Sequence, residues 1–206
     1  MGLIPVLFVL LAVSTPAAAA TVFDEATVGD FSTDGLHPTS LDFQPGSNEI
    51  FGTTGRGTVI DRDYVTFTVP VGYAWSAVIE LPGTQSGGSL SFFGVQAGPQ
   101  VTVDPNGFSA AGLLGWTHYD PSLIGTDILP AIGTGGLGSD GFVPPLPAGT
   151  YSLWIQDFNA GTVSYGFDIQ ISQAPEPGSA ALVLFGLAAA LGIHNLGSGS
   201  RRTISR

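Results

Sequence analysis

Three histidines, His37, His118 and His194, and sixteen carboxylates are the groups in this 206-residue chain that suit acid–base or metal chemistry, because it contains no cysteine. That composition removes disulfides, thiolate metal sites and cysteine nucleophiles together. A Ser-His-Asp triad would have to draw on His37 or His118, since His194 lies in or beside a C-terminal apolar run, and no Gly-x-Ser-x-Gly elbow occurs. His37 precedes Pro38 and reads as a surface-turn residue. His118 lies in Trp116-Thr117-His118-Tyr119-Asp120-Pro121, a cluster that suits either a sugar-binding surface or a strand end packed on a core. Carboxylate pairs for glycoside hydrolysis stay open, because any two of the fifteen acids within residues 21–172 could converge. No histidine metal cluster, phosphate-binding loop or nucleotide fingerprint is present.

Those fifteen acids face two cations, Arg56 and Arg62, in a chain without lysine whose formal net charge is −11. A phosphate backbone would be repelled, so nucleic acid is excluded as a partner, whereas divalent cations or a polycationic surface would be attracted. The same charge also serves to keep an apolar, glycine-rich protein dispersed.

Positioning any of these groups falls to strands. Residues 21–172 suit one domain with a real core, and Gly or Pro interrupts them every ten residues or so. Between the breaks the apolar period is 2. Val163, Tyr165, Phe167, Ile169 and Ile171 share one face against Ser164, Asp168 and Gln170. Tyr151, Leu153 and Ile155 alternate with Ser152, Trp154 and Gln156, and Asn159-Ala160-Gly161 supplies turn residues, which predicts an antiparallel hairpin between the two segments. Further strands are predicted at Tyr64–Val69, with Val65, Phe67 and Val69 inward, at Tyr73–Leu81 and Ser89–Gln96, and near Phe108 and Trp116. Val69-Pro70-Val71-Gly72 suits a type I turn. The stretch from Gly125 to Pro147 is rich in Gly and Pro and is expected to be a long surface loop. Seven or eight short strands without an internal helix predict an all-β fold, a two-sheet antiparallel β-sandwich of the jelly-roll kind.

The two ends carry different patterns. Leu3 to Val13 is apolar, Ser14-Thr15-Pro16 and alanines to Ala20 follow, and Ala18 and Ala20 fit a signal-peptidase site, so residues 1–20 read as a signal peptide with no basic residue ahead of its core. Residues 173–206 contain Pro175-Glu176-Pro177, an apolar run from Ala180 to Ile193, and a tail ending in Arg201, Arg202 and Arg206. Proline marks extended chain, the run suits a bilayer, and the arginines resist crossing it. As a helix, Ser179 to Ile193 spans about 22 Å against a hydrocarbon core of roughly 30 Å, and extension through Leu196 nearly closes the gap, giving a single transmembrane helix over about 179–196 before the basic tail at 201–206.

The ordered set of motif, apolar run, arginines and signal peptide resembles the PEP-CTERM sorting domain, although seven residues from His194 to Ser200 separate the run from Arg201. The resemblance implies an exosortase that cleaves near Pro175–Pro177, with Arg201, Arg202 and Arg206 retaining the tail. It also implies export across the inner membrane of a Gram-negative bacterium, transient anchoring, and residence at the cell surface or in an extracellular polysaccharide or biofilm matrix. The segment between the signals is similar to the bacterial pre-peptidase C-terminal domain, a β-sandwich, through Asp61-Arg62-Asp63-Tyr64-Val65-Thr66-Phe67-Thr68-Val69-Pro70 with Gly72, and Leu146-Pro147-Ala148-Gly149-Thr150-Tyr151. Relatives of that fold bind calcium through acids near the N-terminus and beside the first core strand. By that resemblance Asp24, Glu25, Asp30, Asp34, Asp61 and Asp63 are the candidate Ca2+ ligands, while the residues taken alone read first as solvated turn carboxylates; the twelve-residue EF-hand pattern is absent.

Three functions are consistent with this chain. The first is a non-enzymatic surface or matrix protein that meets signal peptidase and exosortase during export. The second is a calcium-dependent module for polysaccharide or protein, with Trp116, His118, Tyr119 and Trp154 as contact surface. The third is a secreted hydrolase using Asp and Glu.

Overall fold

The computed structural model describes residues 20–85, 88–107 and 109–174. The expected signal peptide, the Pro175–Pro177 motif, the C-terminal helix, Arg201, Arg202 and Arg206 lie outside these residues. Among the described residues no helix is long and apolar enough to cross a membrane.

The alternation in Ile60–Val69 (β4) does what its sequence predicts. Val65, Phe67 and Val69 are buried on one face, and Thr66 and Thr68 are more open on the other. β4 pairs antiparallel with Gly149–Asp157 (β8), which pairs with Ser91–Ala97 (β6), which pairs with Gly115–Thr117 (β7). The other half of the sheet is built on Gly161–Gln173 (β9), flanked by Gly46–Arg56 (β3) and Tyr73–Glu80 (β5), all antiparallel. Ala20–Asp24 (β1) runs parallel to β3, and Thr39–Ser40 (β2) parallel to β4. The halves join where β3 turns into β4, at Gly55 opposite Asp61 and Arg56 opposite Ile60. The protein is therefore all-β, with its strands in one mostly antiparallel, curled path. The curl brings the inner faces together. Phe93 of β6 meets Phe167 of β9 edge-on at 4.8 Å, and Phe67 of β4 meets Trp75 of β5 at 5.1 Å.

Four expectations are corrected. β8 and β9 do not form a hairpin, because each already has two partners, β4 and β6 for the first, β3 and β5 for the second. The chain between them crosses from one half of the sheet to the other, tied by Phe158 N–H to the Leu90 carbonyl and Arg56 N–H to the Asn159 carbonyl. Second, β3 is a strand that the alternation rule did not reveal. Its Gly52 stands opposite Tyr165, where a Cβ would lie 2.4 Å from the tyrosine oxygen, so the glycine makes room for that ring. Third, the Gly125–Pro147 stretch is not wholly a surface loop. It contains the helix Leu129–Thr134 (α2), which sends Leu129 and Ile132 into the core with Ile128. A second short helix, Glu25–Val28 (α1), follows β1. Fourth, the turn after β4 closes with Tyr73 N–H donating to the Pro70 carbonyl, and Gly72 has φ +87° at its third corner, which fits type II and not type I.

Candidate functional site

Period 2 carries β4's core face past its apolar residues. Counting back from Val69, Phe67 and Val65, the next inward side chain is Asp63, and it is fully buried. Asp61 follows at the strand's start. Above them lies the N-terminal arm. Asp24 ends β1 and caps α1 by accepting from Ala26 N–H at 3.0 Å, and this turn directs Glu25 inward. Glu25 Oε1 accepts from Phe31 N–H at 3.0 Å, while Oε2 accepts from Thr53 N–H at 2.7 Å and from the Thr53 hydroxyl at 3.2 Å. One carboxylate thus fastens the arm to β3.

Glu25, Asp30 and Asp63 each offer an oxygen within 4.8 Å of the others. Asp63 Oδ2 accepts from the Tyr165 hydroxyl at 2.7 Å, and buried Oδ1 has no hydrogen-bond partner. Burial, and then the Glu25 charge, push Asp63 up to about 9 against the opposing Tyr165 hydrogen bond. Burial likewise raises Glu25 to about 6, with Asp30 adding to the rise and the Phe31 and Thr53 hydrogen bonds working against it. Asp61 is raised by burial and by Asp30. Tyr165 is held well above its ordinary value, first by burial and then by the Asp63 charge. Such a cluster is relieved either by a proton or by a cation. Three oxygens no more than 4.8 Å apart lie within about 2.8 Å of a common point, so small side-chain shifts would bring all three to the calcium–oxygen distance of about 2.4 Å.

Of the six expected acids, the structure brings together Glu25, Asp30 and Asp63, with Asp61 beside them. Asp24 is engaged in capping. Asp34 closes its own turn, accepting from Leu36 N–H and meeting His37 Nδ1 at 2.7 Å, and it is held below its ordinary value by His37. Thr53 and Tyr165, which hold the cluster, were not anticipated.

The expected aromatic surface is also rearranged. Trp116 and Trp154 do share a concave face, but Tyr119 is fully buried against Phe167 at 5.1 Å and cannot contact a ligand. His118 is exposed, with Nδ1 at the Ser91 carbonyl oxygen, and does not line that concavity. The added members are Phe92, Arg62 and Gln156.

The chain matches no protein-family model, no characterised protein sequence and no solved structure.

The sign of the pH dependence follows from these shifts. A carboxyl with a raised native value binds its proton more tightly folded than unfolded, so its contribution is present at low pH and lost as pH rises through the native value. In chelator, the unfolding midpoint should fall from about pH 5 to about pH 9, mostly through Asp63, with Glu25 and Glu80, the latter raised to about 7 by burial at the end of β5 and then by the Asp120 charge, contributing in the same direction. Asp63→Asn keeps an oxygen for Tyr165 and removes the ionisable group, and with it the cost of protonating Asp63 on folding. It should flatten that slope and raise chelated stability at about pH 8 by roughly 1–3 kcal/mol. Urea titrations across pH check this, and a flat wild-type profile contradicts it.

Proposed function

We propose that this protein is an exported, non-enzymatic cell-surface or matrix component whose domain is a jelly-roll-like two-sheet sandwich braced by calcium. The observation that carries the bracing is Asp63, a fully buried carboxylate with one unpartnered oxygen, facing Glu25 and Asp30. Leaving an ionised group unpaired in a core is expensive, and the negative cluster around it selects a cation rather than another acid. Calcium suits an irregular set of carboxylates better than magnesium, which demands near-ideal octahedral geometry. Backbone carbonyls and water would complete the six to eight oxygens that it takes. Because the ligands come from the N-terminal arm and from β4, occupancy would pin the arm to the sheet.

The sorting reading is supported by the sequence alone, through the signal-peptide pattern and the resemblance of residues 173–206 to the PEP-CTERM domain. On this reading the tail decides where the protein goes. The acidic, cation-braced domain is what arrives there, and its partners are extracellular polymers rather than nucleic acid.

Two outcomes are expected. Calcium at a hundredfold excess over its dissociation constant adds about 2.7 kcal/mol, so the thermal midpoint should rise by about 5–10 °C over the chelated protein. Magnesium should do much less, and Asp63→Asn should remove most of the rise; equal midpoints with calcium and chelator contradict the bracing. In an exosortase-bearing host, the protein with residues 175–177 replaced by alanine should stay full-length in the inner-membrane fraction while the wild type is shortened and reaches the surface. Identical fractionation of the two contradicts the sorting assignment.

A further inference from the structure

The outer face of the β7-β6-β8-β4 half forms a groove of about 470 Å³, a size suited to a small ligand or sugar unit. Register explains its composition. Trp116, Gly94, Trp154 and Tyr64 stand in one row across the four strands, and Phe92, Gln156 and Arg62 in the next. Gly94 lacks the Cβ that would lie 2.6 Å from the Phe92 ring, so Phe92 leans over it. There it stacks on Trp116 at 5.3 Å and 24° and meets Trp154 at 4.6 Å. The result is an aromatic plate partly open to solvent.

Beside the plate lies a polar relay. Trp154 Nε1 and Arg62 Nε both donate to Gln156 Oε1, at 3.1 and 2.9 Å. Two donors on one atom fix which end of the amide is oxygen, so the Gln156 NH2 is turned elsewhere, and no acceptor among the described residues takes it. Arg62 Nη2 donates to Asn106 Oδ1 at 3.0 Å and towards the Pro105 carbonyl, which holds the guanidinium in place, while Nη1 has no hydrogen-bonded acceptor among the described residues. The groove therefore offers two sets of spare donors beside a flat apolar surface. None of the described residues lining it is acidic, although fifteen of the chain's sixteen acids lie in residues 21–172.

We propose that this groove binds a hexuronic acid unit of an acidic polysaccharide, its pyranose face on Phe92 and Trp116 and its carboxylate held by Arg62 and Gln156. A guanidinium beside an amide matches the planar carboxylate through charge-assisted hydrogen bonds. The C–H face of a pyranose matches an aromatic ring, as apolar surfaces do. One ordered cation suits a single carboxylate, the domain's acids lie outside the described lining of the groove, and salt at about 0.15 M screens their field beyond about 8 Å. This assignment uses the face of β4 opposite to Asp63 and stands independently of calcium bracing.

Tryptophan fluorescence of the full-length protein reads the groove directly, because Trp116 and Trp154 line it and Trp75, the third tryptophan, is fully buried. The probes are tetragalacturonate and uncharged maltotetraose, titrated in chelator so that calcium-bridged aggregation of the uronate plays no part. Tetragalacturonate should bind and maltotetraose should bind at least about tenfold more weakly. Gln156→Glu keeps the acceptor for Arg62 and Trp154 and replaces the spare NH2 with a negative oxygen; it should weaken tetragalacturonate binding by at least about tenfold with an unchanged unfolding midpoint. Trp116→Ala should weaken it as well. Equal binding of the two probes, a Gln156→Glu affinity equal to wild type, or no binding of either probe overturns the assignment. Should Gln156→Glu lower the midpoint, Arg62→Gln is read in its place, with the same expected loss.

Discussion

Asp63 shares one face of β4 with Val65, Phe67 and Val69, so the alternation that builds the core also delivers a carboxyl into it. Nothing about strand geometry permits the residue to look elsewhere, because a one-residue slip would expose the three apolar side chains along with it. The surroundings adapt to that carboxyl. Gly52 gives up its side chain so that Tyr165 can reach Asp63 from β9, and Glu25 approaches from the arm with its own oxygens held by Phe31 and Thr53. Four segments, the arm, β3, β4 and β9, are thereby gathered around one carboxyl, and the net negative charge there calls for a proton or a cation.

The same strand sets the other face. Arg62 and Tyr64 alternate with Asp63 and look outward, Tyr64 in one row with Trp154 and Arg62 in the next with Gln156 and Phe92. An inner acidic pocket and an outer donor-lined groove are thus two sides of one strand, separated by the pleat. The sheet's curl keeps them distinct. It closes Phe93 on Phe167 and Phe67 on Trp75 inside, and leaves the outer aromatics to pack as a second, smaller cluster around Tyr64, Leu113 and Trp154.

Much of this was legible in the sequence wherever a strand is half buried. β4, β8 and β9 alternate plainly in sequence and their core residues follow from the period, whereas a bulge between Trp75 and Ala77 breaks it in β5 and puts both Trp75 and Val78 in the core. β3 hid behind Gly46, Gly52 and Gly55 and behind buried polar side chains, since Asn48 fills an inward position where its side-chain amide donates to the Ile169 carbonyl. The pairing of β8 and β9 was misread because an Asn-Ala-Gly turn looks the same whether it closes a hairpin or crosses between sheet halves. For the acidic site, Glu25, Asp30, Asp61 and Asp63 could be named as candidates. Asp24 and Asp34 could not be separated from them, since their local turn bonds become distinguishable only in three dimensions. Thr53 and Tyr165 left no signal, because their roles depend on β3–β9 register. In the groove the tryptophans were evident and the partners were not. Tyr119 was misplaced because the chain after β7 exposes His118 and buries its neighbour.

The proposed exchange of the Asp63 proton for calcium is tested most directly by titration calorimetry of calcium binding at pH 7 in buffers of different ionisation enthalpy. With Asp63 held up to about 9, the cation must displace its proton, and the buffer dependence should give about one proton released per calcium. Calcium binding with no proton release, or no binding at all, would contradict the account.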